Sequence, residues 1–369
     1  MTQATQHKEP LLRIVKRDGI ARPKAYAIRL IAVLLSLVVC GIFIYAITKL
    51  NPVQVYEAIF DGAFGTNRRS WVTIRDAMML LCIGVGLAPA FKMKFWNIGA
   101  EGQILIGGVV TAGIMKAYGS ALPTPALLVV MALASILCGC LWGVIPAVFK
   151  SVWNTNETLF TLMMNYVAIQ ITSYCVALWE NPVGSNSVGI INQMTAYGHF
   201  PKLFGQTYGL NVLLVLLLTV GMYIYLKYSK QGYEIAVVGD SENTARYAGI
   251  NVKKVTIRTM AISGAICGIA GFIEVAGVSH TISTNTAGGR GFTAIIVAWL
   301  AQFNTFVMIL ISFLLVFLQQ GAIQIATQFN LNDYASEIIT GIILFFILSS
   351  EFFINYRVIL RNRKGADGK

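Results

Sequence analysis

The chain has 369 residues, of which 56% are hydrophobic and only 12% charged, with a mean hydropathy of +0.68. A soluble protein of this length cannot bury so much apolar surface in one or two cores, so composition excludes the soluble enzyme classes and points to a chain solvated by lipid. The net charge of +12 would point to nucleic acid in a soluble protein; here the basic residues sit in the two tails and a few short loops, where they set orientation in a membrane.

Residues 1–27 form a charged tail ahead of a first helix that is retained, because no small-residue cleavage site follows the apolar run. Apolar runs near the ~20 residues that span a bilayer then occur at 28–49, 72–91, 98–117, 124–149, 157–179, 209–227, 256–278, 290–302, 304–327 and 335–356. The eighth is too short to cross alone and is expected as a half-helix or re-entrant piece, so the count is nine or ten. Continuous runs exclude a β-barrel, and backbone polar groups in hydrocarbon must pair within their own segment. The expected fold class is therefore all-α and polytopic.

Positive charge orients the segments. The tail carries Lys8, Arg13, Lys16, Arg17, Arg22, Lys24 and Arg29; the loop after the sixth segment carries Lys227, Lys230, Arg246, Lys253, Lys254 and Arg258; the final stretch, 357–369, carries Arg357, Arg361, Arg363, Lys364 and Lys369. Ten crossings place all three on the cytoplasmic side, leaving the 180–208 loop, with Lys202 alone, outside. The transmembrane domain is read as 28–356, with a cytoplasmic loop at 228–256. Gly139 and Gly143 are four apart, as are Gly264 and Gly268, with Gly271 following, a spacing that predicts closely packed helices. Six cysteines (Cys40, Cys82, Cys138, Cys140, Cys175 and Cys267) lie in apolar sequence and three histidines (His7, His199, His280) are scattered; they read as packing residues, with no metal site.

Two polar stretches stand out. In the cytoplasmic loop, Asp240-Ser-Glu-Asn-Thr-Ala-Arg-Tyr-Ala-Gly249 predicts a helix of about two turns, capped by Asp240 or Ser241, with Glu242 at its positive end and Gly249 ending it in left-handed conformation. Ala245 and Ala248 are expected to form a small flat face. Such a helix either docks into a groove on another protein or is a solvated connector. The second stretch, Phe95-Trp-Asn-Ile-Gly-Ala-Glu-Gly-Gln103, interrupts apolar sequence at the start of the third segment. Asn97 can cap a helix start, Gly99 and Gly102 allow close backbone approach, and Glu101 is an ionisable group where charge is costly. Either these groups meet a polar ligand, or Asn97, Glu101 and Gln103 satisfy one another and a neighbouring helix. Glu274 and Arg290 likewise either line a path or pair with each other, and Asn154 and Glu157 are spaced as a capping pair.

These stretches carry a family resemblance. The loop from Gly232 through Ala245, Tyr247, Ala248, Gly249 and Ile250 resembles the coupling loops of ATP-binding-cassette (ABC) importer permeases. NIGAEGQ at 97–103 looks like the hallmark of the nucleoside and simple-sugar branch, and NTNETLFTLMMNY (154–166), SGAICGIAGFIEVAG (263–277) and GGRGFTAIIVAWL (288–300) are similar to further stretches of that family, in its order. After Leu300 the family often has Gly-x-x-x-Pro; this chain has Ala-Gln-Phe-Asn-Thr-Phe, which leaves that turn open.

The resemblance implies a type II-like importer permease fold with about ten helices, the third and eighth interrupted, and both termini cytoplasmic. It implies a translocation path for nucleosides in a bacterial plasma membrane, with Phe95, Trp96, Asn97, Glu101, Gln103, Asn165, Glu274, Arg290 and Phe292 as candidate path residues. Asp240, Glu242, Ala245, Arg246, Tyr247, Ala248 and Gly249 would couple to a separate ATPase, single or fused double, which uses ATP and magnesium. A second, related permease forming a heterodimer and an extracytoplasmic substrate-binding lipoprotein complete the implied partners; no nucleic acid is implied. The chain itself carries no cofactor signature: there is no G-x-x-x-x-G-K-[ST] to cradle phosphates and no catalytic Ser/His/Asp set. A simple sugar such as ribose or galactose remains an alternative substrate. A self-contained proton-coupled transporter using Glu101 or Glu274 is a further alternative, which the coupling loop disfavours.

Overall fold

The structure, a computed structural model, describes residues 12–17, 22–203, 205–330 and 356–360, with short pieces between 338 and 354. Its helices are α1 (Arg22–Thr48), α2 (Pro52–Phe64), α3 (Asn67–Lys92), α4 (Ala100–Tyr118), α5 (Thr124–Trp153), α6 (Glu157–Trp179), α7 (Gly209–Tyr228), α8 (Lys230–Asp240), α9 (Glu242–Tyr247), α10 (Val252–Glu274), α11 (Arg290–Leu300) and α12 (Thr305–Phe329). A π turn, Val275–Ser279, continues α10. Six of these elements are long and apolar enough to cross a membrane: α3, α5, α6, α7, α10 with its π turn, and α12. α1, α4 and α11 occupy the predicted first, third and eighth segments, while most of the tenth, 335–356, lies outside the described residues.

Three features depart from expectation. The chain is not purely helical: β1 (Leu12–Lys16) and β2 (Tyr356–Leu360) pair antiparallel, with Leu12 opposite Leu360 and Lys16 opposite Tyr356. Each strand holds two adjacent β-branched residues, Ile14-Val15 and Val358-Ile359, which favour the extended chain. α2 and α8 are additional helices whose caps lie in sequence that reads as loop. Asn51 Oδ1 accepts from Val53 N at 3.0 Å with Pro52 in the first turn, and Ser229 Oγ accepts from Gly232 N at 2.9 Å. Asn154 and Glu157 do not form a capping pair. Asn154 ends α5 in left-handed conformation (φ 53°), and it is Asn156 that caps α6, accepting from Leu159 N at 3.1 Å.

The chain divides into two compact units, Met1–Gly65 with Leu318–Lys369, and Thr66–Phe317. In the first, α2 lies so close to α12 that a Cβ on Gly62 would fall 2.8 Å from the Gln320 carbonyl, and the Tyr56 hydroxyl donates to the Leu37 carbonyl.

In the second unit α3 is the central element. Of its most apolar window 89% is buried, against 22% for α5, so α3 is enclosed by protein while α5 keeps an outward apolar face. α10 packs along α3, α4 and α5. The paired glycines make that packing possible: a Cβ on Gly264 would lie 2.2 Å from the Gly139 carbonyl, and one on Gly268 would lie 2.3 Å from the Ser135 carbonyl. Without a hydrophobic drive between helices in lipid, backbone-to-backbone contact of this kind holds them together. Ser135 Oγ adds a hydrogen bond to the Gly268 carbonyl at 2.9 Å.

The two long loops of this unit contact opposite ends of α3. Near its start, Arg75 Nη1 donates to Tyr208 Oη at 3.3 Å; at its finish, Gly239 of the 228–256 loop lies against Lys92, whose Nζ also donates to the Leu226 carbonyl of α7 at 3.4 Å. Loop 180–208 is also tied to the far ends of α4 and α10: Asn192 Nδ2 donates to the Met115 carbonyl at 2.9 Å, Phe200 N to the Ala276 carbonyl at 2.9 Å, and Ile191 N to the His280 carbonyl at 2.8 Å.

Gly264→Ala is expected to destabilise the second unit by about 1–3 kcal/mol through overpacking, seen as a lowered melting midpoint in detergent. Gly221→Ala, with nothing within 4 Å of the added Cβ, should leave the midpoint unchanged or raise it slightly.

Candidate functional site

The break between α3 and α4 is built by asparagine and threonine side chains. Met93 ends α3, Lys94 turns the chain in left-handed conformation (φ 62°), and regular helix resumes only at Ala100. The freed backbone groups are paired. Asn165, reaching across from α6, accepts from Gly102 N at 2.8 Å and donates to the Ile98 carbonyl at 2.9 Å. Thr161 Oγ1 accepts from Ile98 N at 3.2 Å. Asn97 Oδ1 accepts from Gly99 N at 3.0 Å, so it braces the turn before α4 rather than capping the helix, whose N-cap is Gly99. Asn97 also reaches Gln103 at 3.4 Å and donates to Ser263 Oγ of α10 at 3.2 Å. Gly99 and Gly102 let α6 approach: a Cβ on either would meet Thr161 or Asn165 and Ala168 at 3.0–3.2 Å.

Glu101 does something different. Its Oε1 accepts from Gly289 N at 2.7 Å and its Oε2 from Gly291 N at 2.9 Å. A full negative charge thus sits on the start of α11, where orphan N–H groups and the positive dipole end gather. The start of α4 and the start of α11 are thereby joined through one carboxylate.

Arg290, between those two glycines, donates through Nη1 to Glu274 Oε2 at 2.8 Å and lies 3.7 Å from Asp76 Oδ1. Asp76 is held by its neighbour Arg75 at 2.9 Å. Glu274 is the last α-helical residue of α10, immediately before the π turn. Glu274 and Arg290 are therefore brought together as a pair, in a cluster that also contains Arg75 and Asp76. Those two were missed in the sequence, although two adjacent charges within the apolar run 72–91 are a readable signal.

The other predicted path residues separate by exposure. Phe95, Asn97, Gln103 and Asn165 are buried within the protein, while Trp96 and Phe292 are exposed. Trp96 stacks on Trp299 at the end of α11, with ring centroids 5.4 Å apart, and Phe91 meets it edge-on at 5.8 Å. The turn after Leu300, which lacks the family's proline, is made instead by Gln302 and Phe303 at φ 49° and 61°.

The short helix expected from the 240–249 stretch is present as α9. Ser241 caps it, accepting from Thr244 N at 3.3 Å, Glu242 and Arg246 pair at 3.5 Å, and Gly249 follows at φ 75°. Asp240 ends α8 instead. The expected Ala245/Ala248 face does not form: Ala245 is buried and Ala248 exposed, because α9 ends at Tyr247 and Ala248 is already the residue that follows its last turn. The outward surface is made by Glu242, Arg246, Ala248 and Tyr247, the last 93% exposed. α8 anchors α9 to the spanning helices. Arg258 Nη2 of α10 donates to Glu234 at 2.8 Å, and Gly239 lies against Lys92 and Met93, where a Cβ would come 2.2 Å from the Lys92 carbonyl.

A polytopic membrane fold with two interrupted segments joined through a carboxylate, and a capped helix held at one end of its central span, is an architecture suited to a membrane permease. The chain matches the family described as branched-chain amino acid transport system / permease component over residues 72–348, and it belongs to that family. It is a multi-pass transport subunit of an ABC importer, without an ATPase domain. It is 29% identical to a glucose ABC transporter permease protein of Haloferax volcanii, over 96% of each chain, and 29% identical to a guanosine ABC transporter permease protein of Bacillus subtilis, over 92% of this chain and 97% of that one. A nucleoside ABC transporter permease protein of Lactococcus lactis is 24% identical over 86% of this chain and 91% of its own. No solved structure matches the chain significantly.

Glu101→Gln leaves one of the two N–H groups facing an amide donor. It is expected to cost about 1.5–3 kcal/mol, measurable as a lowered melting midpoint. A second expectation concerns the 180–208 side, where the rings of His199 and His280 stack 3.8 Å apart. Burial, then the neighbouring His199, push the His280 imidazole from 6.5 down to about 4. Because the folded value is the lower one, the stability from this stack is complete above pH 6.5 and is lost as pH falls through about 4. His280→Asn, which tolerates the φ of 53° there, should flatten the fall in melting midpoint between pH 7 and 4.5.

Proposed function

We propose that this chain lines the translocation path for a neutral, hydroxyl-rich solute, a nucleoside or a simple sugar, and that a separate ATPase moves it through α9. The observation that carries the reading is the unbroken physical connection from α9 to the interrupted segments. α8 holds α9 on the Lys92–Met93 end of α3, the 94–99 turn follows, and Glu101 then grips α11. Displacement of α9 by a closing ATPase has a packed route to both breaks.

The topology supports this use. The contacts of the two loops with opposite ends of α3 agree with an outside 180–208 loop and an inside 228–256 loop. Pairing of β1 with β2 requires both tails on one side, in keeping with an even number of crossings, ten in all. Loop 281–289 together with α11 would make the eighth crossing, from His280 at the outer loop to Trp299 beside Trp96. Glu101 and Glu274 are each engaged by donors, which disfavours either as a mobile proton carrier. The partners in this reading are an ABC ATPase, single or fused double, a related second permease giving a heterodimer, and an extracytoplasmic binding lipoprotein, in the cell membrane. The substrate is divided between the nucleoside and hexose classes of the relatives, with the nucleoside favoured by the NIGAEGQ resemblance.

Uptake of labelled guanosine and glucose by cells expressing the chain with its partner subunits tests the proposal. Accumulation of one of them, abolished by Ala248→Trp with unchanged membrane abundance, is expected. Unaltered uptake in that variant would remove α9 from coupling, and uptake by this chain in vesicles without any ATPase would overturn the ABC mechanism. Ala245 is unsuitable for this test because, buried, its replacement would disturb the loop itself.

A further inference from the structure

We propose that Ser283, Thr284 and Asn285, with Phe292, form a ligand subsite that takes the hydroxyl groups of a neutral polyol, such as the ribose of a nucleoside or a hexose. The inference rests on the transporter reading above and assigns it a contact surface on the irregular part of the eighth segment.

Depth is the first argument. Ile282 lies against Gly108 of α4, where a Cβ would meet its Cδ1 at 3.1 Å, whereas Gly289 and Gly291 are bonded to Glu101. Glu101 precedes Gly108 by seven residues in the same helix. At a rise of 1.5 Å per residue, the segment descends about 10 Å along α4 between these points. Above it, His280 is bonded to the outer loop; below it, α11 runs on to Trp299, which stacks on Trp96 beyond the start of α4. Residues 283–289 therefore lie within the depth spanned by α4.

The second argument is solvation. Irregular backbone with polar side chains is tolerated at membrane depth only where it is covered by protein or lines a water-filled cavity. Ser283, Thr284 and Asn285 are exposed, and neither the Thr284 hydroxyl nor the Asn285 amide makes a hydrogen bond to a described residue. The turn itself is held by other groups: Thr286 Oγ1 accepts from Ser283 N at 2.8 Å and Thr286 N donates to the Ser283 carbonyl at 3.1 Å. The free polar groups face water.

The third argument is chemistry. Hydroxyl and amide groups each donate and accept, as sugar hydroxyls do, and carry no charge. The nearest cation, Arg290, is occupied by Glu274 at 2.8 Å, so a phosphorylated ligand would find no unpaired positive group here among the described residues. Phe292, 44% exposed, offers a ring face for the flat side of a sugar or base.

The test uses the full chain expressed with its partner subunits. Thr284→Cys and Asn285→Cys are treated with a charged, membrane-impermeant methanethiosulfonate, beside Leu217→Cys, whose side chain is 61% exposed on a spanning helix, and the unmodified chain as background for its own cysteines. The first two are expected to react at least about tenfold faster than the third, and more slowly in millimolar guanosine or glucose, whichever the wild type accumulates. Thr284→Val with Asn285→Leu should raise the half-saturating concentration for uptake about tenfold per lost hydrogen bond. ATPase stimulation should persist. Equal reaction at Thr284→Cys, Asn285→Cys and Leu217→Cys would overturn the inference, as would fast reaction combined with an unchanged half-saturating concentration. A wild type that accumulates neither compound overturns the substrate reading alone, and the reagent comparison still decides whether the segment faces water.

Discussion

A helix broken within a packed protein interior frees backbone N–H and C=O groups that must be satisfied there, and this chain accommodates two such breaks by pairing them with side chains and with each other. Asn165 and Thr161 serve the first break from α6, and Glu101 serves the second from the first turn of α4. The two irregular segments are thus mutually dependent. The start of α11 has no side-chain cap of its own, since Gly289 supplies none, and the carboxylate that takes this place comes from 188 residues earlier in the chain.

Charge is organised by the same constraint. Arg75, Asp76, Glu274 and Arg290 are carried on three helices, α3, α10 and α11, and each has an opposite charge in reach. Removing one member of such a set costs more than the pair contributes, because a desolvated charge is left behind. The cluster therefore fixes how α11 meets α3 and α10. The π turn directly after Glu274 widens the helix where its backbone meets Phe200 and Asn211 of the neighbouring elements.

Close packing carries these local arrangements across the unit. Glycines at α5–α10 and α4–α10 contacts bring backbones together, which makes α10 a stiff partner for α5 and for α4, the helix that follows the first break. On the other side of the unit, α8 touches the end of α3 through Gly239 and α10 through Glu234, so the exposed α9 is mounted on elements that also reach the breaks.

Much of this was legible in the residues themselves. The spans follow from apolar length, α9 from the cap at Ser241 and the left-handed Gly249, and the glycine contacts from their spacing of four; each depends on neighbours in sequence. α2 and α8 were hidden because Asn51-Pro52 and Ser229 resemble loop residues until the cap is seen to close. What no local pattern contained was partner choice. Glu101 could have met a ligand, Gln103 or another helix, and only the fold brings the Gly289 and Gly291 amides to it; Ala245 and Ala248 could have shared a face until the fold buried one of them. The sequence by itself marked the six helices that are long and apolar enough to cross a membrane, because hydropathy and length are additive along the chain. The tertiary structure decided which polar groups satisfy one another, because in a medium without water that choice depends on distance across helices far apart in sequence.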